Sequence, residues 1–309
     1  MKLIHLALLL TTIYLHNVLA DDFDNEIGMG DESYARRGHH STEFDLLIFT
    51  QQWPITECYK YQEGKPENTC NIPSPEQSWT IHGVWPTKLG TVGPSFCDKS
   101  AHFDLNQLQP IRPELEQFWP NVQKNHPVDS LWSHEWLKHG TCAAMAIPEM
   151  NNELKYFGKG LDLLKQYSMN KVLGDAGIVP GGNYGLQQIH DVLSEHFKTN
   201  IAIECFHDKH TKQQFIIEIR SCFDKSLNPT DCDGIKSRFG YLSDDTIITN
   251  CARQQPIVYP GKVPSFRRGG EQVEDLPNDL SHDNDKQGKL KRKTKLIVRV
   301  VDLLKWVVL

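Results

Sequence analysis

The sequence contains no Cys-x-x-Cys pair, no His-Glu-x-x-His and no Asn-x-Ser/Thr acceptor. It also has no uninterrupted apolar run long enough to cross a bilayer, and no internal repeat. The missing Cys-x-x-Cys spacing argues against a zinc knuckle. The missing acceptor leaves N-glycosylation without a standard site: Asn228 is followed by Pro229, and Asn68-Thr69-Cys70 would be the rare cysteine form. The N-terminal apolar run, Leu6 to Leu15, is too short for a hydrocarbon layer of about 30 Å. At the other end, Leu296 to Leu309 is broken by Arg299, Asp302 and Lys305, which excludes a span and argues against a lipid-anchor signal. An excess of positive charge is absent too. The 309 residues carry 33 Lys and Arg against 39 Asp and Glu, so a general polyanion binder is disfavoured.

What is present begins with Lys2, the Leu6–Leu15 run and Val18-Leu19-Ala20. That order predicts a signal peptide over residues 1–20, to be left out of the fold. Eight cysteines follow: Cys58, Cys70, Cys97, Cys142, Cys205, Cys222, Cys232 and Cys251. An even count behind a signal peptide predicts four disulfides in an oxidising compartment, although spacing alone does not choose the pairing. Without Lys2, His5 and His16 the chain keeps 12 histidines and a charge near −7. Charging every histidine would carry it to at most about +5, so a mildly acidic compartment favours anionic ligands.

Residues 21–43 are polar and aperiodic and read as a flexible leader. The stretch FDLLIFTQQWP reads as a buried strand stopped by Pro54, and residues 55–78 as loop. SWTIHGVW reads as a second strand ended by Pro86. Helices are expected over 104–126, with proline breaks, and over 130–145, 151–173 and 184–198; strands are expected over 201–206, 215–223 and 246–251. The sum is an α+β domain over about residues 44–262: a disulfide-bonded antiparallel sheet core with helices packed on it. Residues 263–309 read as a linker followed by a basic, then apolar, C-terminal tail.

One stretch, SHEWLKHGTC (133–142), crowds two imidazoles, a carboxylate and an ammonium together. On an ideal helix, at roughly 100° per residue, His134 and His139 fall about 140° apart, too far round for one metal to reach both. Zinc is therefore not expected. His134, Glu135, Lys138 and His139 share one face, with Trp136 and Leu137 turned toward a core. A base and a cation on one helix suit phosphoryl transfer, which also needs an acid across the phosphorus. The strand WTIHGVWP offers one in His82, with Gly83 allowing close approach and Trp85 offering a stacking surface. Simple alternation places Thr80, His82 and Val84 on one face and Trp79, Ile81 and Gly83 on the other. Two histidines flanking a phosphate can cleave RNA through its own 2′-hydroxyl, with no metal or cofactor.

WTIHGVWP and HEWLKHGTC resemble the two active-site segments of the ribonuclease T(2) family, the secreted acid, transferase-type RNases. The similarity covers about residues 44–262, includes the FTQQWP strand, and has the eight-cysteine set of animal members. It implies endonucleolytic cleavage of single-stranded RNA, not DNA, through a 2′,3′-cyclic phosphate, by a secreted or lysosomal enzyme acting as a monomer. It implies His139 as general base, His82 as general acid, and Glu135 with Lys138 as the pair that stabilises the phosphorane. It implies His134 as a phosphate ligand, Trp85 as a base-stacking residue, and the disulfides Cys58–Cys70, Cys97–Cys142, Cys205–Cys251 and Cys222–Cys232. Two features depart from the family pattern: Thr87 stands where relatives carry Asp or Asn, leaving base preference open, and the sequon is missing. A binding module that has lost catalysis is the rival class, and the retention of His82, Glu135, Lys138 and His139 weighs against it.

Between Lys286 and Val301 there are seven Lys or Arg and no acid. If this tail has a role, weak attraction to phosphate or anionic lipid is the physical candidate. A chain truncated after Pro264 is expected to fold and keep its turnover, while low-salt binding to RNA or anionic vesicles weakens. Loss of soluble folded protein on truncation would show that the tail packs on the domain.

Overall fold

The central strand β1, Leu46–Gln52, is buried along its whole length. It earns that position by pairing antiparallel on both sides, with β2 (Thr80–Thr87) on one edge and β5 (Gln214–Phe223) on the other. The computed structural model describes residues 42–91, 93–235 and 247–265. Within it β4 (Ala202–His207) and β6 (Pro229–Thr230) also pair antiparallel with β5. The short β7 (Ile257–Val258) runs parallel to β5 and joins it to β3 (Asn183–Tyr184). The fold is α+β as expected, with a sheet that is mostly antiparallel and carries one parallel pairing.

Two expectations about proline are corrected. Pro54 does stop the strand, but it also opens helix α1 (Pro54–Gly64), inside the segment read as loop. Proline suits a first helical position, where its missing N–H has no intrahelical acceptor. Ile55, Cys58, Tyr59 and Tyr61 then bury one side of that helix. Pro86 does not end β2; it lies inside the strand, opposite Leu47. It is tolerated because β2 is an edge strand, where a missing donor breaks no ladder bond. The segment around Thr249 forms only an isolated bridge to Ile203, in place of the strand expected over 246–251.

Helices cover the sheet. A 3₁₀ turn (Leu105–Ile111) leads into α2 (Arg112–Phe118). The segment 130–146 is one helical run in three parts: α3 (Ser130–Glu135), a π turn (Trp136–Gly140) and α4 (Thr141–Ala146). Then follow α5 (Glu153–Gln166), α6 (Met169–Asp175) and α7 (Leu186–Phe197). Trp119, Trp132, Trp136, Ala143 and Tyr156 pack with Phe49, Ile81 and Val84 of the sheet in the main core. The outer edge of β2 is covered by two of these side chains. Trp119 donates to the His82 carbonyl at 2.8 Å and Tyr156 to the Val84 carbonyl at 2.8 Å. Edge carbonyls that would otherwise lie buried and unmatched thus gain partners.

Disulfides join Cys58 to Cys70, Cys97 to Cys142, Cys205 to Cys251 and Cys222 to Cys232. These are the pairs that the family resemblance implies. No described helix is long and apolar enough to cross a membrane. The segment expected as signal peptide, nearly all of the expected leader and all but the first three residues of the expected tail lie outside the described residues. The Cys97–Cys142 bridge ties the 93–104 loop to α4, its ends 45 positions apart in the sequence. Replacing both cysteines with alanine should lower stability by about 2–4 kcal/mol, measured by urea unfolding. An unchanged midpoint would show that the bridge restrains nothing the fold does not already hold.

Candidate active site

Two backbone irregularities build the site. The first is a bulge in β2. Thr50 pairs with Gly83 and Gln51 with Ile81, so His82 is the extra residue. A bulge re-aims side chains locally. Its consequence is visible in burial: Ile81 and Val84 are fully buried in the core, while His82 and Trp85, three apart, are the two partly exposed residues of the strand. Simple alternation does not hold here. Val84 does not share a face with His82; instead the His82 and Trp85 rings meet edge to face at 5.1 Å.

The second irregularity is the π turn. A hydrogen-bonding pattern of i to i+5 brings residues five apart onto one side. His134 and His139 are five apart, and their ring centroids lie 6.3 Å from each other. The ideal-helix separation expected from the sequence is therefore wrong, and so is the inference that one metal could not reach both. Donor atoms of His134, Glu135 and His139 all lie within 4.8 Å of one another. This is a feasible ligand set by distance, with Glu135 buried and both histidines half-buried.

The two segments meet across Gly83. The indole Nε1 of Trp85 donates to Glu135 Oε2 at 2.8 Å. A Cβ on Gly83 would overlap both of those groups. What approaches the glycine is thus the indole and the carboxylate of the site itself. The Trp85 ring also lies 5.5 Å from the His139 ring, so one indole stands beside both imidazoles. Thr87 is buried and its hydroxyl donates to the Trp85 carbonyl at 3.1 Å, turned back on its own strand.

The sequence reading missed Glu218 and Arg220. His82 Nδ1 lies 2.6 Å from Glu218 Oε1. Arg220 donates to Glu218 Oε2 from Nε at 3.1 Å and from a terminal nitrogen at 2.7 Å. Its other terminal nitrogen lies 3.2 Å from Glu204 Oε1. The same guanidinium sits over the Trp85 ring at 5.5 Å.

The electrostatics separate the two imidazoles. For His139, burial and then the charges of Lys138, His134 and His82 hold the pKa well below the ordinary histidine value. His134 is lowered to about 4, by burial, Lys138 and His82 in turn. For His82, enclosure opposes the cation, yet the Glu218 carboxylate and its hydrogen bond outweigh it, and the pKa is raised. Glu135 is pushed up to about 7 by burial, against the opposing pull of His82 and the Trp85 hydrogen bond. Burial works against Glu218 as well, but Arg220 and His82 hold it well below the usual carboxylate range. The two imidazoles beside the one indole are thus shifted in opposite directions, the His82 cation favoured and the His139 cation disfavoured.

Substituting alanine at Gly83 should displace Trp85 or Glu135 and cost about 1–3 kcal/mol. A lowered melting temperature with a changed tryptophan emission spectrum is expected. Unchanged values for both would mean that the contact across Gly83 is slack.

Residues 44–232 match the Ribonuclease T2 family. Ribonuclease Oy from Magallana gigas is 35% identical over 222 residues, covering 71% of this chain and 97% of the relative. Ribonuclease T2 from Homo sapiens is 35% identical over 200 residues, 64% of this chain and 72% of the relative. Among solved structures, human RNase T2 superposes with a TM-score of 0.54 at 30% identity, covering 70% of this chain and 98% of that one. RNase NT in complex with 5′-AMP gives a TM-score of 0.58 at 28% identity, over 71% and 98%. Matched over more than half its length, and built on the same fold around the segments WTIHGVWP and HEWLKHGTC, the chain belongs to the ribonuclease T2 family.

Proposed function

We propose that this chain, an endoribonuclease by family, cleaves single-stranded RNA by transesterification without a metal. Neutral His139 removes the 2′-hydroxyl proton, and the 2′-oxygen attacks the adjacent phosphorus. Protonated His82 delivers its proton to the departing 5′-oxygen. One fragment ends in a 2′,3′-cyclic phosphate and the other begins with a 5′-hydroxyl. Lys138 and Glu135 take up the charge of the phosphorane. Glu135, whose pKa is raised to about 7, is mostly protonated in mild acid and can donate a hydrogen bond to a phosphoryl oxygen. His134 holds the phosphate and the exposed part of Trp85 stacks a base. What carries this reading is that two imidazoles held within 5.5 Å of one indole sit in environments that shift their pKa values in opposite directions. Environments that push two titratable groups apart mark an acid and a base. The leading apolar segment and the four disulfides support a secreted or lysosomal setting.

The clustered donors of His134, Glu135 and His139 favour a second reading, a metal-assisted hydrolase. It is the weaker one. Glu135 Oε2 already accepts from Trp85, and the Lys138 charge bears on both imidazoles, which opposes a dication between them.

Replacing His82 or His139 with alanine should slow RNA cleavage by ~10²–10⁴-fold with the fold retained. Wild-type turnover in either folded variant contradicts the assignment. EDTA should leave activity intact, and DNA or 2′-methoxy RNA should stay uncut, since neither offers the internal nucleophile; loss of activity in EDTA would favour the metal reading.

The pH profile should be bell-shaped. Activity rises as His139 loses its proton below the ordinary value and falls as His82 loses its proton above it. Weaker repulsion between RNA and this net-negative chain as protons are taken up weights the optimum to the acid side. An optimum above pH 8 would contradict this.

A further inference from the structure

Glu204 and Glu218 face each other directly across β4 and β5. Like charges in that register destabilise a sheet. Both are buried, where an uncompensated carboxylate is costly. Arg220 removes the conflict by bonding to both, and the free energy of that arrangement holds one Glu218 oxygen against His82. A plain sheet would need none of these charges. Their placement makes sense as a device aimed at the imidazole.

We propose that Glu218 is a positioning residue for the proposed RNA cleavage: clamped by Arg220, its carboxylate accepts a hydrogen bond from Nδ1–H of His82 and so leaves Nε2 as the nitrogen that delivers a proton to the leaving oxygen. A histidine's tautomer is set by the hydrogen bond its other nitrogen makes. With Nδ1–H committed to Glu218 at 2.6 Å, the imidazolium has one proton to give, on Nε2. As the bond from phosphorus to the 5′-oxygen breaks, that proton moves to the oxygen. The ring is left neutral with its proton on Nδ1 and a lone pair on Nε2. In that state it is ready to take a proton from the water that opens the cyclic phosphate. Arg220 adds a second link, since the guanidinium that clamps Glu218 also packs over Trp85. The proton donor and the stacking surface are thereby indexed to one side chain.

The groups that bear on His82 are Glu218 from β5, Glu135 from α3, Glu57 from α1, and the histidines 134 and 139 of the same helical run. Glu218 is the largest favourable influence and alone among them is hydrogen-bonded to the ring. Its removal therefore has a signed effect. The variant Glu218→Gln keeps an acceptor for Nδ1–H but loses the charge, so the His82 cation loses support and its pKa falls.

The test compares wild type, Glu218→Gln and His82→Ala on two substrates across pH. On an RNA dinucleotide, Glu218→Gln should move the alkaline limb of kcat/KM to lower pH by about one unit or more, with little change on the acid limb. On a nucleoside 3′-(4-nitrophenyl) phosphate, whose leaving group needs no proton, the variant should match wild type. An unmoved alkaline limb in a protein that His82→Ala inactivates overturns the role of Glu218 alone. Equal losses on both substrates show a merely structural residue and also overturn it. Wild-type RNA cleavage by His82→Ala instead overturns the reading of His82 as the acid. Should Glu218→Gln fail to fold, ¹⁵N spectra of the wild-type His82 ring decide: the neutral ring should carry its proton on Nδ1. A proton on Nε2 overturns the proposal.

Discussion

The hydrogen bond from Trp85 to Glu135 joins the only two segments that carry the candidate catalytic groups. It depends on Gly83, because any side chain there would occupy the space in which indole and carboxylate meet. It also fixes the spacing of the imidazoles, since the same indole lies beside His82 on its own strand and beside His139 on the facing helix. Behind it, Trp119 and Tyr156 hold the backbone of β2 through its carbonyls, and Trp132 in turn donates to the Trp119 carbonyl at 2.7 Å. The tryptophans of this region thus act as hydrogen-bonding rods as well as apolar bulk.

That rigid frame lets two chemically identical side chains differ. His139 sits beside Lys138 and the two other site histidines, whose charges oppose its protonation. His82 sits against a carboxylate that a guanidinium pins in place, which favours its protonation. Neither state follows from burial alone, which disfavours the cation in both. What separates them is which charges the sheet and the helix put nearby. In low-dielectric surroundings such pairings outweigh solvation only when geometry is fixed, and the two backbone irregularities fix it.

Much of this was legible in the sequence. The apolar runs at 46–52, 202–207 and 214–223 are strands, and the helical spacings at 153–166 and 186–197 are helices. The site residues stood out because histidine and glutamate crowd a short stretch, and because a lone histidine interrupts an apolar strand. Three things were not legible. Helix α1 hid behind a composition rich in turn formers, with Pro54 readable equally as a stop or a start. The π turn and the bulge break the ideal periods of 3.6 and 2 on which any reading of faces rests; neither leaves a mark in residue type. Glu218 and Arg220 did leave one. Two opposite charges at strand spacing inside an apolar run read as a strand require partners once that strand is buried, and that requirement points to the site.

The most direct test follows the phosphorus. Purified protein should be given a ribodinucleotide in EDTA at mildly acidic pH, and the products resolved with time by ³¹P NMR. Transesterification predicts a 2′,3′-cyclic phosphate that appears first and is then opened to a 3′-phosphate. A 5′-phosphate product, or a reaction that starts only when a divalent metal is added, would contradict the two-imidazole mechanism.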